Sequence, residues 1–398
     1  MVATLPVVDF APSAPRALGS GRQTRIASAD AIRALAIFSV VAYHIAQAAQ
    51  PVFGGHVRVF FEVGVWGVDC FFVLSGFLLG GEYMRRLVAP AIALPPARLF
   101  WAKRILRIVP LYFTCIGLSV LMDGLFAHAF PSVRDIVAHV LFLNDFSAAT
   151  STSLNGPFWT MPIDMEFYAL LPLYGVIMAQ LFRFAPRAPR VPLLFASLAL
   201  ITVAGFAYRF YEARYNPAAL HSFAEEVVWI RNVIGMSGAF CLGAALSLVS
   251  LMKRRPSPAV SAVLLAAAVA CEVIVARTSS LEGGPVTMRL VLGHTFFDFI
   301  GALSAALLMY VVIEGDFALI NRFVRLRAIA EIAVLAYGVY LLHYPIAQAM
   351  TPFFAHFSSL ERLAGIAVAT LVPTFVLAFV ANRLVEKPFL TMKGRIRA

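Results

Sequence analysis

The chain has 398 residues, of which 61% are hydrophobic and 13% charged, and its mean hydropathy is +0.84. A soluble domain carries about 25% charged residues, so this balance excludes an ordinary soluble protein and points to a polytopic membrane protein. The formal net charge of +11 fits Lys and Arg gathered in cytoplasmic loops beside anionic lipid and does not imply nucleic acid.

Residues 1–28 hold Pro, Gly, Ser, Ala and Arg without an apolar stretch of signal-peptide length, and they read as a cytoplasmic tail. The membrane domain is expected to run from 29 to 398. Apolar runs of about 20 residues, enough to span a bilayer, fall near 30–50, 59–81, 105–127, 162–182, 191–210, 229–251, 258–276, 290–313, 329–350 and 363–385. These ten predict an all-α bundle of about ten transmembrane helices. The stretch 133–146 is too short and polar to cross, so an interfacial or re-entrant helix is expected there. Of the Lys and Arg in the loops and at the ends of the spans, 21 fall on one set of alternating loops and 8 on the other. The richer set is expected to be cytoplasmic, with both termini on that side. In a bacterium this is a protein of the inner membrane. The four cysteines, Cys70, Cys115, Cys241 and Cys271, lie in apolar runs with no CxxC pairing. They read as small buried residues, with neither a disulfide framework nor a metal site indicated.

The first span, 30–44, carries three ionisable groups. Arg33 and His44 are eleven positions apart, which is about 20° past three helical turns and roughly 16 Å along the axis. They therefore share a face, and Asp30 joins it at i,i+3 to Arg33. Ionised groups at membrane depth are costly, so such a stripe is expected to face a polar interior. In the second run Asp69 lies well inside the span. It reads either as a structural aspartate or as part of the same interior as His44. A basic loop leads into the third span with Lys103, Arg104 and Arg107. These residues serve as topology signals or as a site for a phosphorylated ligand, whose oxygens match the guanidinium fork.

Residues 205–231 are expected to form an outer loop with Arg209, Glu212, Arg214, His221, Glu225 and Glu226, most simply a solvated one. His294 and Asp298 are i,i+4 in the eighth span. They read as a hydrogen bond within one helix or as a second polar wall of the interior. Tyr340 and His343 in the ninth span read as bundle-interior polar residues.

Six blocks of this chain, in order, resemble the acyltransferase 3 family of integral membrane acyltransferases. They are Asp30, Arg33 and His44; the Gly-Val-Asp to Ser-Gly-Phe stretch at 67–77; the basic block at 103–110, with Lys103 where an Arg is usual; Trp159, Thr160, Met161, Phe167, Tyr168 and Pro172; Tyr337, Tyr340, Leu341, His343 and Pro345; and Glu386, Pro388 and Phe389. The blocks cover about 28 to 390. One departure stands out: five residues after Trp159, where the family has Glu, this chain has Asp164, and Glu166 follows two residues on. Either carboxylate could carry the family role. They lie about 200° apart on a helix, so both cannot face one site unless Pro162 distorts the first turn.

The resemblance implies transfer of an acyl group, most often acetyl from acetyl-CoA, to a hydroxyl of a carbohydrate or glycosylated small molecule, without a metal. It implies His44 as general base, Asp164 or Glu166 orienting the imidazole or the acceptor, and Arg33 at the oxyanion or the pantetheine end. Lys103, Arg104 and Arg107 would hold the CoA phosphates, while Asp30, Asp69, Trp159 and His343 would line the interior. No soluble esterase-like stretch follows Phe389, so the bundle is expected to perform the membrane step itself. Two rival readings remain. A transporter or flippase of an anionic or glycan substrate would also need intramembrane Arg, His and Asp, and a non-catalytic partner of an envelope glycan machine would tolerate loss of His44.

Overall fold

A computed structural model of the chain describes residues 20–50, 64, 66–89, 92–127, 130–252, 255–279, 287–315, 322–324 and 326–395. Most of the tail expected over 1–28 lies outside the described residues, as do 59–63 of the second run and the loop cations Arg58, Lys253, Arg254 and Arg325. Among the described residues all regular structure is helical, and ten helices are long and apolar enough to cross a membrane.

Helix α1 is Ser20–Ala49, α2 spans Trp66–Val88 with a π turn at Gly76–Gly80, and α3 is Ala97–Met122. A short α4, Val133–Val140, begins at a Ser132 cap and leads into 3-10 turns at Asn144–Phe146 and Gly156–Trp159. Then come α5, Thr160–Phe184, α6, Arg190–Tyr215, α7, Phe223–Trp229, and α8, Val233–Leu251. The chain continues through α9, Pro258–Ser279, α10, Met288–Glu314, α11, Arg327–Met350, and α12, Ser359–Ala381.

Three boundaries differ from the hydropathy reading. Helix α2 runs on through Glu82, Arg85 and Arg86, which pair with one another (Arg86 Nε to Glu82 Oε1 is 2.6 Å) and so extend the helix past the apolar run. Helix α3 starts at Ala97 and carries Lys103, Arg104 and Arg107 inside it, not in a loop. The expected outer loop 205–231 is largely helical, because α6 reaches Tyr215 and α7 covers Phe223–Trp229.

Apolar side chains gain little from leaving lipid for another helix, so membrane helices associate through close packing and internal hydrogen bonds. Both devices are present. Gly76 of α2 meets the backbone of Phe240 in α8, and Gly243 of α8 meets the backbone of Val73, so a Cβ at either position would drive the helices apart. Proline supplies the second device by withholding the N–H that would bond the carbonyl four residues earlier. Pro172 leaves the Tyr168 carbonyl to accept from Trp101 Nε1 at 2.8 Å, tying α5 to α3. Pro345 leaves the Leu341 carbonyl to accept from Asn155 Nδ2 at 2.8 Å, drawing the segment before α5 against α11.

The interior has two main apolar cores, and α1 joins them. Its first half, with Ala29, Ile32 and Ala36, packs with Phe72, Phe240 and Met309. Its second half, with Ile37, Val40 and Ile45, packs with Tyr112, Phe158 and Leu342. Helix α1 lies against α2, α10, α11 and α12, so its polar face is enclosed by the bundle.

Candidate active site

Arg33 and Asp30 pair on α1, Nη1 to Oδ1 at 2.6 Å, as i,i+3 spacing dictates. Further along the same helix, His44 Nδ1 lies 2.9 Å from His343 Nε2 on α11. The other nitrogen of His343, Nδ1, lies 3.0 Å from the Val339 carbonyl. A carbonyl can only accept, so His343 Nδ1 carries the proton and its Nε2 is a bare lone pair. His44 Nδ1 must then be the donor, and a neutral His44 has its own lone pair on Nε2. Tyr344 meets the His44 ring edge-on at 5.1 Å.

The group that orients His44 is therefore His343 and not either of the carboxylates expected from sequence. Asp164 is half-buried on α5 with its Oδ1 enclosed and unpartnered, and it lies within electrostatic reach of Arg104. Glu166 points elsewhere, with Oε2 unpartnered and Asp145 as its charged neighbour. Their divergence is what two residues of helix impose, and Pro162 does not undo it.

The cations gather at the other end of the α1 stripe. Arg33 lies within electrostatic reach of Arg107, and Arg107 Nη1 is 3.5 Å from Glu386 Oε2. Arg104 lies over the Phe100 ring at 5.8 Å with Nε unpartnered, while Lys103 is half-buried one residue before it. Glu386, to which the sequence alone assigns no role, holds Arg107 from the far end of the chain. Since α1 is unbroken from Ser20 to Ala49, Arg33 and His44 stay roughly 16 Å apart along the axis. That separation is too long for Arg33 to touch a carbonyl held at His44.

Asp69 and Trp159 belong to a different cluster. Arg209 of α6, 2% exposed, pairs with Asp298 Oδ2 at 2.6 Å and donates through Nε to the Thr295 carbonyl at 3.0 Å. Arg231 bridges Asp298 Oδ1 at 3.1 Å and Glu226 Oε1 at 2.9 Å, and His294 Nδ1 reaches the same Glu226 oxygen at 3.0 Å. The account of His294 and Asp298 as a bond within one helix does not survive: each looks across to another element. Burial alone would raise the Glu226 carboxyl, but Arg231 and His294 outweigh it and hold it well below the usual range. Burial opposes charge on Arg231 as well, yet Asp298 and Glu226 raise it further above its ordinary value. Trp159 packs under this cluster, with the Arg231 guanidinium 5.9 Å from its ring, and Asp69 faces Gly301 with Asp298 and Arg231 as charged neighbours. Within the 205–231 region Arg209, Glu226 and Arg231 thus belong to a buried clamp of α6, α7 and α10, while Arg214 and His221 are exposed as a solvated stretch would have them. The clamp's only sequence signal was an excess of Arg and Glu beside an intramembrane Asp.

Among the described residues no group of three or more His, Cys, Asp or Glu is placed to hold a metal ion. The family model of an acyltransferase domain, Acyl_transf_3, matches residues 26–383. The chain belongs to the acyltransferase 3 family. Among curated relatives it is 24% identical over 397 residues to YrhL of Bacillus subtilis (strain 168), provisionally described as a peptidoglycan O-acetyltransferase, covering 92% of this chain and 55% of that protein. It is 28% identical over 256 residues to the exopolysaccharide production protein ExoZ of Rhizobium meliloti (strain 1021), covering 62% of this chain and 71% of ExoZ. It is also 28% identical over 173 residues to the O-acetyltransferase OatA of Staphylococcus aureus (strain NCTC 8325 / PS 47), covering 40% of this chain and 26% of OatA. The chain thus spans about half the length of YrhL. No solved structure matches it. The acyltransferase 3 blocks read from the sequence meet in space in pairs: the α1 His with the α11 His, and the α3 Arg with the Glu after α12.

Proposed function

We propose that this chain is an integral membrane O-acyltransferase that moves an acyl group, acetyl foremost, from acyl-CoA to a hydroxyl of a carbohydrate or glycosylated acceptor. The observation that carries this reading is the His44–His343 pair, which leaves Nε2 of a neutral His44 as a free base. That nitrogen takes the proton of the acceptor hydroxyl as its oxygen attacks the thioester carbonyl. The tetrahedral intermediate collapses, the C–S bond breaks, and the departing CoA sulfur receives the proton held by His44. The new ester leaves with the acceptor, and the imidazole is neutral again.

The donor lies along the α1 stripe in this reading. Lys103, Arg104 and Arg107 hold its phosphates, Arg33 anchors the near end of the pantetheine arm, and the extended arm bridges from there to His44. The Lys/Arg bias of 21 to 8 favours cytoplasmic termini and a cytoplasmic mouth for the donor. A cysteine at Ser257 should then be labelled only from the inside. The names of YrhL, ExoZ and OatA, with their reference to peptidoglycan, exopolysaccharide and O-acetyl transfer, favour a cell-envelope polysaccharide as acceptor.

The test supplies acetyl-CoA and envelope polysaccharide to the purified protein and follows free CoA and ester-bound acetate together. General-base catalysis is worth about 10²–10⁴ in rate, so His44→Ala should lose that much turnover while acetyl-CoA still binds. Movement of substrate without free CoA would instead mark a transporter. Undiminished transfer by His44→Ala would remove His44 from the chemistry.

A further inference from the structure

Between α4 and α5 the chain folds inward and buries a group of polar atoms that have no protein partner. Asn144 is 0% exposed, and neither its Nδ2 nor its Oδ1 meets a donor or acceptor. The Tyr112 hydroxyl, Nε2 of His139 and Oδ1 of Asp145 are buried and unpartnered as well. Ring contacts bring Tyr112 and His139 together through Phe158, and Asp145, which follows Asn144 directly in the chain, is a charged neighbour of the Tyr112 hydroxyl. Tyr112 stacks on Phe142 at 4.9 Å and meets Phe158 edge-on at 5.0 Å, and His139 lies 6.0 Å from Phe158. Phe142 sits at φ 56°, a left-handed conformation that a non-glycine residue keeps only where its surroundings demand it.

A buried polar atom without a partner is destabilising, and native proteins keep few. Several in one spot are retained most readily where a ligand completes them. This spot borders the base. Gly156 faces Tyr344 so closely that a Cβ there would come within 2.9 Å of the ring, and Tyr344 in turn lies against His44. Asn155 ties the same segment to the Leu341 carbonyl, two residues before His343.

The atoms on offer are an amide with both a donor and an acceptor, a phenol, a carboxyl oxygen and an imidazole nitrogen. A lipid tail would leave all of them unpaired. The phosphates of the donor would meet the Asp145 carboxyl, and no Arg is among the charged neighbours of Asp145 or Tyr112. A polyhydroxylated ring suits them, since each hydroxyl both donates and accepts, and its C–H faces can lie on aromatic rings.

We propose that Asn144, Tyr112 and Asp145 form the subsite that holds the accepting carbohydrate, with the Tyr112, Phe142 and Phe158 rings against its apolar faces. This rests on the acyltransferase reading above, in which His44 is the base, and it locates the acceptor on the His44 side of the bundle, opposite the cations.

The test uses Asn144→Leu and Tyr112→Phe, which remove the polar atoms with little change of shape. Each is expressed in cells lacking the gene, and alkali-released acetate is measured on the cell-envelope polysaccharide. Acetyl-CoA affinity and melting temperature are measured on the same purified full-length proteins. Ester acetate should fall about tenfold or more, the loss expected for one or two hydrogen bonds to the acceptor. Acetyl-CoA affinity should be unchanged, and the melting temperature should be no lower than that of the unaltered protein. Undiminished ester acetate in both variants overturns the subsite and leaves the acyltransferase reading standing. A joint fall of melting temperature and acetyl-CoA binding in both also overturns it, since the atoms would then be holding the fold. If the unaltered protein neither binds acetyl-CoA nor adds ester acetate, it is the acyltransferase reading that fails.

Discussion

His44 and His343 share a hydrogen bond of 2.9 Å across 299 positions of sequence, and the Val339 carbonyl fixes which nitrogen gives the proton. In this arrangement His343 is a positioning residue: it holds His44 in the tautomer whose Nε2 is free. His343→Phe should leave the His44 ring only the Val40 carbonyl of its own helix to hold it and lower kcat by about tenfold or more, leaving the KM for acetyl-CoA near its original value. His343→Gln should recover part of the loss, because its amide oxygen can accept from His44 Nδ1. Equal activity in the Phe and Gln variants would argue that the pair only fills space.

The cationic end makes a separate prediction. Arg104 has an unpartnered Nε, and Arg107 is held by Glu386 at 3.5 Å. Arg104→Ala and Arg107→Ala should each weaken acetyl-CoA binding far more than acceptor use. A hydrogen bond to a charged group is worth about 1.5–3 kcal/mol, which is about tenfold or more in affinity. Calorimetric titration of acetyl-CoA decides it, and unchanged affinity in both variants would return these residues to topology signals alone.

The carboxylates after Trp159 can be separated in the same assay. Asp164 lies on the Arg104 side and Glu166 on the Asp145 side. Asp164→Asn is expected to be the more damaging change, since Asp164 holds the family position and neighbours the donor cations. If Glu166→Gln alone abolishes transfer in folded protein, the role has moved to the acceptor side of α5.

How much of this was legible depended on whether a relationship was local. The shared face of Arg33 and His44 follows from helical periodicity, and so does the divergence of Asp164 and Glu166. The ten spans follow from apolar runs, apart from ends such as Glu82–Arg86, where charges neutralise each other within the helix. The pairing of His44 with His343 was not legible, since nothing local in either helix names its partner. Arg209 and Arg231 looked like loop residues because their counter-charge, Asp298, lies on a helix far along the chain. Asp69 followed Asp298 for the same reason.

That clamp has its own test. Arg231 touches both Asp298 and Glu226 and is buried with them. Removing one partner of a buried charge group strands the others, at a cost of about 3–5 kcal/mol. Arg231→Ala should therefore lower the melting temperature markedly, with a far smaller effect on any activity that remains per folded molecule. A melting temperature close to that of the unaltered protein would show that water reaches Glu226 and Asp298 and that the clamp contributes little.

Asp145 predicts a dependence of stability on pH. Burial lifts its carboxyl from 3.8 to about 6, only partly opposed by its own backbone N–H. The folded protein thus holds this proton more tightly than the unfolded chain does. Stability from this group is complete below the unfolded value, falls as pH rises through about 4 to 6, and stays low above that. Asp145→Asn is neutral throughout, so it should lose this slope and be the more stable protein at neutral pH. At 1.36 kcal/mol per pH unit the gain is on the order of 1–3 kcal/mol. Melting curves of both proteins across that range decide the matter. Parallel curves would mean that Asp145 is solvated and ionised like a surface carboxylate, and its place among the buried acceptor-side groups would be lost with the slope.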